Sequence, residues 1–470
     1  SSATTSSEAG MDSLIGHLDG ADCQFMLISP ESGEFRMQIK CKEWSRVPWF
    51  DAVHHNTFSL HGAGYSNRYE AQRGRSLHGI ESDDYIVSEI LTGHSLMADW
   101  GSEKRGAVRK YWLAQDLVRH LADKHIEKVE FVDNNIQHLL ITWSGGTKIY
   151  VNQGKDDWKI TPPDTPGRTL PQYGYFADSR SNGIVSGISR DGSGKIIETG
   201  GREDEANGKS SIFVNARQTN SGNVLPLLPK LKSFKYLGSN KFSAEYIWKT
   251  FNSAARQPAS LDYAVFIHCT EKQINWHHKP KEAFLSGGGY QKTPVPEWKG
   301  DVQTEPYESF IPDDLPAGRY YLVVGLYDAK GNGHRAKLLG LDTGADRYAV
   351  ARLKVERGQD GKITSISAEP VEWEDEALSE RLIPSDKPAD FDFVRTSGAF
   401  RIESDNKAKT HKVIPLPNEP ATEIALAVPA KSVKAVDADG KELRDVPFRQ
   451  DGRYTVFTTQ KDEFLYKIAW

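Results

Sequence analysis

The chain has 470 residues, too many for one ordinary core, so the length alone predicts about three domains, or one large domain with two small ones. Its 59 Lys and Arg against 64 Asp and Glu leave a net charge of -5, with no basic stripe, which argues against nucleic acid as a partner. No stretch approaches the ~20 consecutive apolar residues of a membrane span, and the opening Ser1–Gly10 has neither a basic nor an apolar region, so neither a span nor a signal segment is expected.

The three cysteines, Cys23, Cys41 and Cys269, follow no metal-type spacing, and their odd number excludes a disulfide framework. A pair between Cys23 and Cys41 is the most that could form, and buried free thiols are the simpler expectation. Eleven Trp, 18 Tyr and 19 Phe make the chain somewhat rich in aromatic rings. Such flat faces suit sugar rings, although most should be core.

In chain order, Phe25 to Ile28 and Val47 to Val53 read as short strands. Ser82 is an N-cap, Asp83 and Asp84 suit the positive start of a helix through Ile86, Ile90 and Leu91, and Gly93 suits its end. A second helix is expected from about Arg105 to Lys124, with Val108, Tyr111, Ala114, Val118 and Leu121 on its buried face. Strands follow at Val129 to Val132, Ile136 to Trp143 and Lys148 to Asn152, the last two joined by the hairpin signal Ser144-Gly145-Gly146-Thr147.

From about Val224 the pattern turns all-β. The segment Arg319 to Tyr327 is apolar on both faces and should be central in a sheet. The segments Lys241 to Trp248, Asp262 to Cys269 and Tyr348 to Val355 complete the signature of a β-sandwich. A charged linker, Glu369 to Pro388, leads to a last β set. The expected domains are 1–220, an α/β barrel-like region with a β extension; 221–360, an Ig-like β-sandwich; and 361–470, a linker and small β-domain.

The run Val47 to Tyr65 presents Asp51, His54, His55 and Asn56 at the end of an apolar segment, the arrangement by which strand ends deliver titratable groups into a cleft. Glycoside hydrolysis needs two carboxyl groups, and Glu8, Asp12, Asp19 and Asp51 are those available in this region. A strand-end histidine can bind a sugar hydroxyl, ligate a metal or satisfy a core hydrogen bond. No HExxH or comparable spacing is present, so neither a metal nor a cofactor is expected. Trp49 and Arg68 should lie near the rim, Tyr65 and Trp100 could stack on sugar faces, and Trp276-His277-His278 and Trp298 could form a carbohydrate platform on the sandwich.

Four pieces, Ser7-Glu8-Ala9-Gly10-Met11-Asp12, the Val47 to Tyr65 run, Leu170 to Phe176, and Leu315-Pro316-Ala317-Gly318-Arg319-Tyr320, together resemble bacterial glycoside hydrolases with a (β/α) barrel followed by β-sandwich domains, near the endo-α-N-acetylgalactosaminidases. The resemblance implies a secreted or periplasmic enzyme acting on a polysaccharide or glycan, with Glu8 as proton donor and His54 and His55 lining the pocket. With Asp51 as the second catalytic carboxylate, the substrate-binding set is Asp12, Trp49, His54, His55 and Arg68. If residues 1–160 match only the late strands of a barrel, the chain is the C-terminal part of a longer protein or works with a separate N-terminal barrel portion. The competing expectation is a non-catalytic carbohydrate-binding or structural protein.

Overall fold

The structure, a computed structural model, describes residues 5–7, 13, 15–22, 49–61, 81–97, 104–163, 165–216, 225–251, 263–271, 282–289, 295, 298, 300–331, 333–343, 346–373, 380–381 and 387–470. Among these there are three α-helices: α1 (Trp49–His54), α2 (Asp83–Thr92) and α3 (Lys104–Leu121). The rest of the regular structure is almost wholly antiparallel sheet.

The expected (β/α) barrel is therefore corrected: among the described residues no sheet closes on itself. Parallel strands there are three short ones, Ser6–Ser7, Gly20–Asp22 and Ser59–His61, side by side in that order, with one isolated parallel bridge between Ile15 and Leu18. The reason lies in the connections. A parallel sheet needs a long crossover between consecutive strands, whereas the strands from Ile126 to Asn215 follow one another through short turns, and neighbours so joined can only run antiparallel.

Those strands belong to a 14-stranded sheet whose continuous path ends at Ile126–Phe131 on one side and Glu442–Asp445 on the other. At its middle Lys209–Asn215 pairs with Ala399–Asp405, so residues assigned above to the first and third expected domains share one sheet. Helices α2 and α3 cover one end of it. Ile86, Val87, Ile90, Leu113, Leu117 and Leu121 pack there on Leu139, Ile141, Trp143, Ile149, Val151 and Tyr175. At the other end a five-stranded sheet, including Glu423–Leu426 and Tyr454–Thr458, closes a core with Ile212, Phe400, Val433 and Tyr466.

Between these halves of the sheet the chain builds two further antiparallel sheets. Lys241–Thr250 contributes Phe242, Ala244, Tyr246 and Trp248 to a core shared with Val265, Ile267, Leu322, Val324 and Leu353 of a five-stranded sheet. Its strand Gly318–Asp328 lies between Tyr263–Glu271 and Tyr348–Arg357, as its two apolar faces require. Cys269, the one cysteine among the described residues, is a buried free thiol in this core, and burial pushes its pKa up. Trp298 is buried there too, 5.5 Å from the Trp248 ring, so it is no exposed sugar platform.

Helix α2 begins after Ser82 and ends at Gly93, whose φ of 69° is left-handed. Every one of its residues is buried. Of the expected stripe of α3, Ala114 and Leu121 are buried and Val108 and Val118 pack against the core, but Tyr111 is 46% exposed, and Arg109, Lys110, Leu113 and Leu117 are buried as well. Val47 to Val53 is likewise no strand from Trp49 onward. The His55 amide bonds the Asp51 carbonyl at 3.0 Å and the Phe58 amide bonds that of His54 at 2.9 Å, the spacing of helical turns.

Gly200, in the strand Ile196–Asp204, is where α3 touches the sheet at backbone distance: a Cβ there would overlap the Leu113 carbonyl oxygen and lie 2.5 Å from Leu113 Cα. Since neither backbone can retreat without moving its element, Gly200→Ala is expected to lower stability by about 1–3 kcal/mol. Urea unfolding of the variant measures this, and an unchanged midpoint would mean that α3 does not sit this close.

Candidate functional site

Two buried polar clusters hang on α2. At its start, Arg109 of α3 donates from Nη2 to Asp83 Oδ1 at 2.5 Å and to Glu198 Oε1 at 2.6 Å, from Nε to Glu198 Oε2 at 2.9 Å, and from Nη1 to the Glu81 carbonyl at 2.8 Å. Asn215 donates to Glu198 Oε2 at 2.9 Å, and Arg381 bonds the other oxygen of Asp83. Burial works against the Arg109 charge, but Glu198 and Asp83 outweigh it and hold its pKa above the ordinary value. Glu198 is raised, burial prevailing over the pull of Arg109. This set is a closed ionic joint between α2, α3 and the sheet.

The second cluster lies toward the end of α2. Asp51, buried on α1, is 2.6 Å from Nε2 of the buried His94. His55 stands four residues after Asp51, so the turn brings both to one side. Its Nε2 lies 3.0 Å from the Leu121 carbonyl oxygen, and its ring meets Trp143 edge-on at 4.8 Å. Burial lowers its pKa, with the Leu121 carbonyl and the Asp51 charge opposing.

Beside them Glu89 of α2 and Lys110 of α3 form a buried ion pair, Nζ to Oε2 at 2.6 Å. Glu89 Oε1 accepts from the Met97 amide at 2.9 Å, Lys110 Nζ donates to the Met97 carbonyl at 2.6 Å, and the ammonium sits 4.7 Å from the centre of the Tyr85 ring. Burial pushes the Glu89 carboxyl up and the Lys110 ammonium down, each opposed by its partner.

Of the expected site residues, the structure thus joins Asp51 and His55 in one cluster. Trp49 opens α1, and His54, half-buried, closes it. Because this segment is helical, His54 and His55 follow a helical turn and not the alternating faces of a strand. Glu8, Asp12 and Arg68 lie outside the described residues, as do Phe25 to Ile28, Tyr65, Trp100 and Trp276 to His278. His94, Glu89 and Lys110 were not singled out from sequence. The available signal was that Tyr85, Ile86, Val87, Ile90 and Leu91 surround Glu89 with apolar residues on every side of the helix, leaving it no solvent face.

Chemically, the cluster offers a carboxylate held by an imidazole, with a second carboxyl raised by burial nearby. Among the described residues no group of three or more His, Cys, Asp or Glu is arranged to hold a metal ion, and no helix is long and apolar enough to cross a membrane. Comparison with protein-family models, curated proteins and solved structures finds no match for this chain.

Gly93 is confined on two sides. A Cβ there would lie 2.6 Å from Trp143 Cη2 and 2.8 Å from His55 Cε1, and its φ is one that side chains resist. Gly93→Ala is therefore expected to lower stability by roughly 2–4 kcal/mol, the sum of left-handed strain and overlap. Chemical denaturation checks it, and a loss under ~0.5 kcal/mol, the usual reach of a surface change, would contradict the packing.

Acid should weaken the fold. His55, His120, His138 and His411 all have pKa values lowered from 6.5 by burial. Below that value the unfolded chain takes up protons at these histidines that the folded chain refuses, so their contribution to stability is full above pH ~6.5 and falls as pH drops toward the folded values. A melting midpoint several degrees lower at pH 5.5 than at pH 7.5 is expected, and an equal or higher midpoint at pH 5.5 would refute it.

Proposed function

We propose that this chain is a glycoside hydrolase, or the C-terminal portion of one, acting outside the cytoplasm on a complex polysaccharide or glycan. The observation that carries the reading is Asp51: a buried carboxylate, one of the two expected from sequence to act, held at 2.6 Å by His94. Glycosidic cleavage requires one group to protonate the leaving oxygen and a second carboxylate to attack the anomeric carbon or to activate water. Asp51 takes the second role, its orientation fixed by the imidazole in the way that paired acid and imidazole groups fix one another in other hydrolases. Glu8 takes the first. Asp12, Trp49, His54, His55 and Arg68 are assigned to the sugar.

A second reading, a non-catalytic glycan-binding or structural protein, is favoured by the mutual satisfaction of the Asp51–His94 and Glu89–Lys110 pairs in a closed interior, which is also how a scaffold buries polar groups. Turnover separates the two. Incubated with a panel of glycans, the parent is expected to release sugar, and Asp51→Asn and Glu8→Gln should each slow it by about 10²-fold or more while leaving binding nearly intact. No cleavage by the parent, with glycan binding that survives both substitutions, would replace the first reading by the second.

A further inference from the structure

The Glu89–Lys110 pair has no part in the chemistry assigned above, yet it reaches the same turn that carries His94. Glu89 holds that turn at two points. Its carbonyl accepts the His94 amide at 3.1 Å, and its side chain accepts the Met97 amide at 2.9 Å. Lys110 takes the Met97 carbonyl at 2.6 Å, so both polar backbone groups of Met97 end on one ion pair. In between, the Ser95 amide is tied to the Leu60 carbonyl at 3.2 Å, next to the strand end at His61, and Gly93 is wedged against Trp143 and His55.

We propose that Glu89 and Lys110 are positioning residues for Asp51, acting through His94 by clamping the turn from Gly93 to Met97. An apolar pair of similar size would join α2 and α3 at no loss, because a buried ion pair is a weak source of stability. What an apolar pair cannot do is accept from the amide of Met97 and donate to its carbonyl. With those contacts gone, the turn would keep the Ser95 bond, the end of α2, the packing of Leu96 and the Tyr85 hydroxyl on the Met97 sulfur, but its backbone at Met97 would be released and the 2.6 Å contact from His94 to Asp51 would no longer be enforced from that side. The catalytic consequence rests on the role proposed for Asp51, whereas the geometric one does not.

The test replaces both partners together, so that no charge is stranded. Glu89→Leu with Lys110→Met removes both side-chain contacts to the Met97 backbone, and Glu89→Gln with Lys110→Met keeps the acceptor for its amide. Thermal melting reports folding. The hydrogen-bonded imidazole proton of His94, assigned in ¹⁵N-histidine-labelled protein by its loss in His94→Gln, reports the contact to Asp51. The first double variant is expected to melt near the parent, lose that resonance and drop at least tenfold in kcat with KM within about twofold. The second is expected to regain the resonance and most of the rate. A folded first variant that keeps the resonance overturns the proposal, and so does unfolding of both, since the pair would then be holding the fold. A parent without glycan turnover removes the hydrolase reading alone, because the resonance still decides whether the pair positions His94.

Discussion

A single buried guanidinium fixes where the helices stand. Arg109 has no solvent to turn to, so its charge must be met inside, and it is met from α2 by Asp83, from the sheet by Glu198 and from the chain entering α2 by the Glu81 carbonyl. Leaving any of these unmet would cost several kcal/mol, which makes the relative placement of three elements far more specific than the apolar contacts around them could. Gly200 permits the approach, since any side chain there would lift α3 off the sheet. Arg381 brings a distant part of the chain onto the same carboxylate, so the joint also determines where residues 380–381 run.

The candidate site inherits this precision. Arg109 and Lys110 are adjacent on α3 and point about 100° apart, so the helix grips α2 twice, at its first turn through Asp83 and further along through Glu89. With α2 held at both points, the position of Gly93 and the turn after it follows, and His94 can meet a side chain that precedes it by 43 residues. Geometry of this kind is better kept by packed helices than by free loops, because their side chains are already confined to one rotamer by their neighbours.

How much of this the sequence disclosed depends on what each signal measures. The bounds of α2 were legible because its end residues act locally: Asp83 and Asp84 suit the helix dipole and Gly93 takes a left-handed φ, while Ser82 precedes the first turn with its hydroxyl donating to Asp84 and not capping an amide. The extent of α3 was legible from its apolar spacing, and so was part of its inner face, Ala114 and Leu121. Apolar periodicity assigned Tyr111 to the core and passed over Arg109 and Lys110, whose burial is decided by carboxylates far away in the chain. The segment from Trp49 to Val53 is too short for periodicity to separate strand from helix, and what tips it is the continuation of i to i+4 bonding through His54, His55 and Phe58. The barrel expectation fails at the level of connection, since strand-rich segments look alike in either sheet type and only the short turns between them exclude parallel neighbours. Asp51 and His55 stand out in the sequence by residue type alone, and the strand end invoked for them is a helical turn.

His55 shows how closely stability and the site are bound together. Its ring is a wall for Gly93, an edge for Trp143 and a partner of the Leu121 carbonyl at the end of α3, and it shares a helical turn with Asp51. An imidazole so placed suits the packing while it is neutral, because the charge of an added proton on this desolvated ring would meet no carboxylate in direct contact among the described residues, Asp51 being committed to His94. The interior that holds Asp51 in place is thus itself kept intact by a titratable group. Changes in acidity that alter the chemistry of the cluster must also alter the packing of α1 against α3, and the two cannot be tuned independently by substitution at His55.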